Sequence, residues 1–421
     1  MDLDLGRFNA ALKEIVIPEI QAQHNLGTAW MARVKKTAKH IDAGGKYAKQ
    51  VVRLGTPQGH GARADGGLLP IPVPSLLMES QIPIVSNYTT FGITGKTMRA
   101  ASSDVKAWAK ALPSEIKAIT DSFLRDMHRQ FIAGDGTGVI TAQINAGVGT
   151  PIGGSQIEVA STVDIFEGMA IEFWHWVPGA PVIIPCRGAA VGGSVTITVL
   201  AVTSETTFTI ADASNVATTT DVDLNAATYA SGIKIIRHGA KGNEIIGLPG
   251  WVDDGTILTT YESINRGTYS RWQAKKFPMG GIAVDHATLQ KAFSHREKAG
   301  LGKGIVVTSY GIRDQIAVLL AQKQQFNSPP TSLKGGFETP VTFNGAPIWA
   351  EEQAKKGVIF FPDEGVCQIH RQSDVHWADE DGSVLKWVSL YDKYFAFLYY
   401  DAQMGASRCN SSSYIDGVLD L

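Results

Sequence analysis

Residues 51–99 cannot build a core of their own. The stretch passes through the glycine-rich GTPQGHGARADGG, then PIPVP, then the alternating IPIVSNYTTFGITGKTM. Alternation with period two predicts strand, and the glycine cluster predicts a flexible approach to it, so the whole reads as a long two-stranded ribbon. An isolated ribbon is at best marginally stable in water, so the rest of the chain, or another copy of it, must supply a surface for it to lie on. HGARADGG, with Arg63 and Asp65 between glycines, is expected to let the ribbon change its angle.

After the ribbon the period changes to 3.6. Leu112, Ile116, Ile119, Phe123, Met127 and Phe131 form one apolar stripe, which predicts a helix that starts with Pro113 in its first turn and stops at Gly134. Ahead of the ribbon, Phe8, Leu12, Ile15, Ile20 and Leu26 give a helical pattern interrupted by Pro18, read as an N-terminal arm with helical pieces. Residues 150–240 differ in composition: Thr, Val, Ile, Ala and Gly dominate, and ASTVDIFEGMAIEF, SVTITVLAV and TFTIADAS read as strands. They predict a small all-β module inserted between the helix and a later mixed region.

That later region carries a helical stretch around His286 to Lys298, the strand GIVVTS, and a helix with Ile312, Ile316, Leu319 and Leu320. Asn344-Gly345 predicts a hairpin turn, because both positions need positive φ. Four strands follow, GVIFF, VCQIH, VLKWV and YFAFLYY. The last puts Phe395, Phe397 and Tyr399 on one face and Tyr394, Leu398 and Tyr400 on the other, so it should be central or covered on both sides. No repeat of 20–50 residues suggests a solenoid or propeller.

Length and composition narrow the function classes. A chain of 421 residues suggests two or three domains. Lys plus Arg number 38 against 40 Asp plus Glu, a net charge of -2, so there is no broad positive field for a dedicated nucleic-acid binder. Cys186, Cys367 and Cys409 are too few and too scattered for a disulfide framework or a paired zinc site. The acidic start MDLDLGRFNA does not suit a signal peptide, and no apolar run reaches the roughly 18 residues of a membrane span. The expectation is a protein that is soluble and cytosolic when made and does not engage a membrane.

Motifs that could carry chemistry fail on context. Gly95-Lys96-Thr97 matches the end of a phosphate-binding loop, but Thr90 stands where the first glycine belongs and the surrounding run is strand. Gly134-Asp135-Gly136-Thr137-Gly138 follows a helix, whereas a dinucleotide site needs its glycines after a strand. The ten histidines show no metal-binding spacing, and His175 between Trp174 and Trp176 reads as a packed side chain. Asp379, Glu380 and Asp381 lack the alternating ligands of a calcium loop and read as a solvated turn. There is no Gly-x-Ser-x-Gly elbow. No catalytic, cofactor-binding or metal-binding residue is therefore assigned, and the chain is not expected to be an enzyme. A rival reading has Trp174 and Trp176 binding a carbohydrate or hydrolase ligand.

The order of parts, an arm, a long ribbon, one long helix ending in a GDGTG turn and a mixed C-terminal half, resembles the HK97-like capsid family of tailed bacteriophages. SEIKAITDSFLRDMHRQFIAGDGTGV is similar to that family's spine helix. APIWAEEQAKKGVIFFPDEGVCQIHRQSDVHWADEDGSVLKW is similar to its axial-domain ending, and YDKYFAFLYYDAQMGASRCNSSSYIDGV to its closing peripheral strand and tail. The resemblance implies an α+β HK97-like fold with an inserted small all-β domain. Its parts would be an N-terminal arm (1–50), an extended loop (51–103), a peripheral domain with spine helix (104–149), the inserted β-rich domain (150–240), a continuation of the peripheral domain (241–300), an axial domain (301–390), and a return strand and tail (391–421).

The function implied is that of a major capsid protein, a structural subunit that self-assembles through hexamers and pentamers into an icosahedral head around double-stranded DNA. That DNA would be touched non-specifically. No fused scaffolding helix is seen, which implies a separate scaffold protein, beside a portal and possibly a decoration protein. The chain would reside in the virion, and in the host cytoplasm before assembly. Some relatives cross-link subunits through an extended-loop lysine; Lys96 lies in the right region, but no partner Asn aligns, so cross-linking is not expected. The nearest alternative is an encapsulin-type nanocompartment shell.

Overall fold

The computed structural model describes residues 30, 33–37, 46–96, 105–142, 156–175, 182–183, 197–211, 232–302, 304–321, 341–379, 382, 384–387 and 391–420. The helical pieces expected around Phe8 to Leu26, and the residues Trp176, Cys186, Glu380 and Asp381, lie outside them. The chain divides into two compact units, one formed by 1–133 with 247–421 and the other by 134–246.

In the first unit the apolar stripe becomes helix α1 (Val105–Ala133). Ile116, Phe123, Met127 and Phe131 are buried, as are Leu124 and Ile132 beside them; Ile119 is only half-buried. The helix begins eight residues before Pro113, which therefore lies inside it and not in its first turn. Ala107, Ala109 and Ala111, the strongest helix formers, favour the extra turns, and Val105 and Trp108 continue the stripe ahead of Leu112 at helical spacing. Helix α2 (Leu248–Trp251) abuts the end of α1. Gly247 permits this, because a Cβ there would collide with the carbonyls of Gln130 and Phe131. Trp251 stacks on Trp30 at 6.0 Å. Phe123→Ala should cost about 3–5 kcal/mol and send the expressed chain to the insoluble fraction, as read by denaturant titration of whatever remains soluble.

The longest strand, β22 (Lys393–Ala406), organises a six-stranded sheet. It pairs antiparallel with β4 (Val85–Thr94) over ten residues, from Lys393↔Thr94 to Ala402↔Val85. It also pairs with β19 (Cys367–Arg371), β20 (His376–Trp377) and β21 (Lys386–Trp387), while β1 (Lys35–Thr37) lies parallel to β19. YFAFLYY is thus central, with Ala396, Leu398 and Tyr400 buried and Phe395, Phe397 and Tyr399 half-buried.

The pairing of β4 corrects the extent of the ribbon. The ribbon is β2 (Tyr47–Arg53) against β3 (Leu77–Pro83), in register from Tyr47↔Pro83 to Arg53↔Leu77. It starts inside the stretch assigned to the arm and ends well before residue 103. Only Ile84 separates β3 from β4, so alternation runs almost unbroken through both strands, and a period of two says nothing about which partner each one takes. The glycine-rich GTPQGHGARADGG falls in the distal loop between β2 and β3, not at the ribbon's approach.

The first unit holds a second six-stranded sheet, ordered β14 (Lys275–Ile282), β23 (Ser413–Val418), β18 (Val358–Phe361), β15 (Val306–Thr308), β17 (Ala346–Ala350), β16 (Thr342–Phe343). Helices α3 (His286–Lys298) and α4 (Tyr310–Ala321) share its core, where Leu289, Phe293, Ile312, Ile316, Phe361 and Ile415 meet. Asp285 caps α3 by accepting from the Thr288 amide at 3.2 Å. Asn344 and Gly345 have φ of 50° and 77° and close the β16–β17 hairpin, the geometry that Asn-Gly demands. Strands β14 and β23 pair in parallel from distant parts of the chain, so divisions at 300 and 390 cut through one sheet. Such long-range pairing leaves no local mark in a sequence. The remaining hairpin of this unit is β12 (Thr260–Tyr261) with β13 (Ile264–Asn265).

The second unit is a seven-stranded antiparallel sheet: β5 (Val139–Ala142), β6 (Gln156–Glu158), β7 (Ala170–His175), β8 (Val182–Ile183), β9 (Ile197–Val202), β10 (Thr207–Ala211) and β11 (Ile233–Arg237). Ile157, Val159, Ile171, Phe173, Phe208 and Ile235 form its core. It is wider than 150–240, because β5 pairs with β11 and a bridge between Asp135 and Ile246 closes its neck. The GDGTG turn belongs to that neck: Gly136 and Gly138 have positive φ, and the Asp135 carboxylate accepts from the Thr137 amide at 2.9 Å.

Candidate assembly interface

The ribbon has two parts with opposite surroundings. Near its root one face is covered: Ala48, Val52, Ser80 and Ile82 are buried. Ile82 sits so close to Gly405 of β22 that a Cβ there would strike it. Gln50 Nε2 donates to the Ala406 carbonyl at 3.0 Å, and the Gln81 amide donates to the Glu262 carbonyl at 3.1 Å.

Beyond Leu54 and Leu76, whose backbones still pair, the distal loop is bare. Leu68, Leu69 and Ile71 are 92%, 83% and 81% exposed, and Val73, Leu76 and Leu77 are exposed too. Folded monomers rarely show so much contiguous apolar side chain unless it serves an interface. In LLPIPVP the residues Pro70, Pro72 and Pro74 alternate with the apolar ones. Each fixes its φ and removes an amide donor, so the segment is held extended and cannot add as an ordinary edge strand. Stiffness of this kind lowers the entropy lost on docking.

At the ribbon's root lies a group that no motif announces. Glu262 is buried, and its carboxylate accepts from Ser80 Oγ, from Gln50 Nε2 at 3.2 Å and from the Ala406 amide at 2.7 Å. Burial pushes its pKa above the usual carboxylate value, against the pull of these donors. Nearby, Arg266 and Asp253 form an ion pair at 3.1 Å with neither side chain exposed. YESINRG carries no recognisable signature, so only the fold brings these side chains together.

The motifs weighed from sequence are otherwise engaged. The Gly95 amide donates to the Asp392 carbonyl at 2.7 Å, so the N–H that a phosphate would need is taken. Lys96 follows β4, in the sheet with β22, and not on the ribbon. Trp174 has Lys241 Nζ 3.7 Å from its ring centre and donates to Glu172 at 2.9 Å, so one face is capped where a sugar platform would be open. Asp379 accepts from the Gly382 amide in a turn. Among the described residues no group of three or more His, Cys, Asp or Glu could hold a metal ion, and no helix is long and apolar enough to cross a membrane. Cys367 and Cys409 are free and buried.

No known family model and no curated protein matches the chain. Among solved structures it is similar to the capsid subunit of cyanophage A-1(L), with a TM-score of 0.54 and 12% identity over 92% of this chain and 90% of that one. The capsid of Myoviridae phage XM1 gives 0.45 and 6% identity over 93% and 92%. An encapsulin of Synechococcus elongatus gives 0.26 and 9% over 35% and 53%. The overlap with the cyanophage subunit, across 92% of this chain, shows that the chain shares the α+β fold of that capsid subunit.

Proposed function

We propose that this chain is a major capsid protein, which self-assembles into the icosahedral head of a tailed phage around double-stranded DNA. The observation that carries the reading is the ribbon: its root is fastened to its own subunit while its proline-stiffened apolar end is exposed and has no partner among the described residues. A neighbouring copy is the surface that a repeating shell offers. Interfaces of standard size bury roughly 1,600 Å², and many modest contacts closed around a lattice make a shell far stabler than any pair. A net charge of -2 allows close packing without strong mutual repulsion.

On this reading the chain works by assembly and not by catalysis, in hexamers and pentamers. Helix α1 is the spine of the peripheral domain, the sheet carrying β15 to β18 the axial domain, and the unit 134–246 the inserted domain. A separate scaffold protein, a portal and a decoration protein are the further partners, and packaged DNA is met without sequence preference.

Electron microscopy of the expressed chain, alone and with the scaffold gene beside it, tests the proposal. Closed shells of uniform diameter are expected. Dispersed monomers under every condition would overturn it, and shells filled with a cargo enzyme in place of DNA would favour the encapsulin alternative.

A further inference from the structure

The turn between β12 and β13 is made by Glu262 and Ser263, with φ of 50° and 64°. Two-residue hairpins of this kind favour Asn-Gly, and residues bearing a Cβ hold such angles only where the surroundings enforce them. Here the turn aims the Glu262 carboxylate into the base of the ribbon. One oxygen accepts from Ser80 Oγ on β3 and Gln50 Nε2 on β2, and the other from the Ala406 amide at the end of β22. The Glu262 carbonyl takes the Gln81 amide as well. A single residue thus joins both ribbon strands to the central sheet.

The groups around it are neutral. Tyr261 donates its hydroxyl to the Met404 carbonyl beside the carboxylate, and the Cys367 and Cys409 thiols lie within electrostatic reach. The guanidinium of Arg266 lies over the Tyr261 ring, 4.7 Å from its centre, with its own bonds directed to Asp253 and to carbonyls. Among the described residues no cation pairs with Glu262.

We propose that Glu262 is a proton-dependent clasp, in which the neutral carboxyl holds the ribbon root to its own subunit and the ionised carboxylate loosens it. A buried anion without a cation keeps its full desolvation cost, and neutral donors offset it only in part. The protonated group keeps its bonds, since Ser80 Oγ can accept a proton as readily as donate one. When the root lifts away, Glu262 reaches water and recovers its ordinary acidity. Because burial raises the folded-state value above 4.5, the clasp is at full strength below the ordinary value and weakens as pH rises through the raised one. Within that window the opening constant climbs about tenfold per pH unit. A ribbon freed in this way could re-aim towards a neighbour; that consequence rests on the shell reading, while the clasp itself does not.

Hydrogen exchange on the unassembled full chain, corrected for intrinsic exchange rates, tests this between about pH 5 and about pH 8. Protection of residues 47–53 and 77–83 should fall with pH in the wild type, while β15 and β18 stay unchanged. Glu262→Gln should flatten that dependence. Ser80→Ala, which keeps the carboxylate and removes a donor to it, should widen the pH span, and it carries the test if the Gln variant does not fold. Equal pH profiles for the wild type and the tested variant, or protection that grows with pH, would overturn the clasp. A chain that never forms shells yet shows the expected profile would leave it standing.

Discussion

On the proposed shell reading, replacing Leu68, Leu69 and Ile71 with serine should leave the subunit folded and abolish its assembly. The three side chains are 92%, 83% and 81% exposed, so the isolated chain gains little from them, and their loss should stay within about 0.5 kcal/mol each in a denaturation experiment. Against a neighbour the sum is different. Burying a leucine or isoleucine contributes about 1.5–3 kcal/mol, so the triple variant forfeits roughly 4.5–9 kcal/mol per ribbon. Every subunit brings one ribbon, so the deficit recurs at each contact of the lattice. Thermal unfolding together with sedimentation reads both halves. Shells formed by the triple variant at wild-type yield would show that the ribbon tip is not the assembly contact.

What the sequence makes legible is whatever is decided locally. The pattern around His286 to Lys298 marks α3. Asn344-Gly345 marks its own turn, and the two apolar faces of YFAFLYY mark a strand that must be covered. What stays hidden is decided by partners. Strands β3 and β4 alternate alike, yet one pairs with β2 and the other with β22, a choice made by the sheet and not by the strand. The neck of the inserted unit extends to Gly134 and Ile246 because β5 finds β11 some ninety residues later. Glu262 is the extreme case. A glutamate in YESINRG would ordinarily be placed in a solvated turn, and only the approach of β2, β3 and β22 gives its carboxylate donors enough to stay inside.

Asp253→Ala should strongly destabilise the first unit. The Asp253 carboxylate accepts from the amides of Gly255, Ile257 and Leu258 at 3.0, 3.2 and 3.0 Å and from Arg266 Nη1 at 3.1 Å. Arg266 in turn donates to the carbonyls of Gly250, Trp251 and Trp272. The pair therefore ties the end of α2, the 253–258 turn and the chain after β13 into one buried knot. Removing the carboxylate leaves a guanidinium out of water without its counter-charge, a loss of about 3–5 kcal/mol. Asp253→Asn keeps an acceptor and the shape, and should lose distinctly less. Arg266 also packs on the ring of Tyr261, next to Glu262, so the alanine variant should release the ribbon root as well as lower the denaturation midpoint. Hydrogen exchange over residues 47–53 and 77–83 separates the two effects: loss of protection there before global unfolding is the expected order. An alanine variant within about 1 kcal/mol of the wild type, where buried pairs broken on one side normally cost several times that, would show that this knot does not hold the fold.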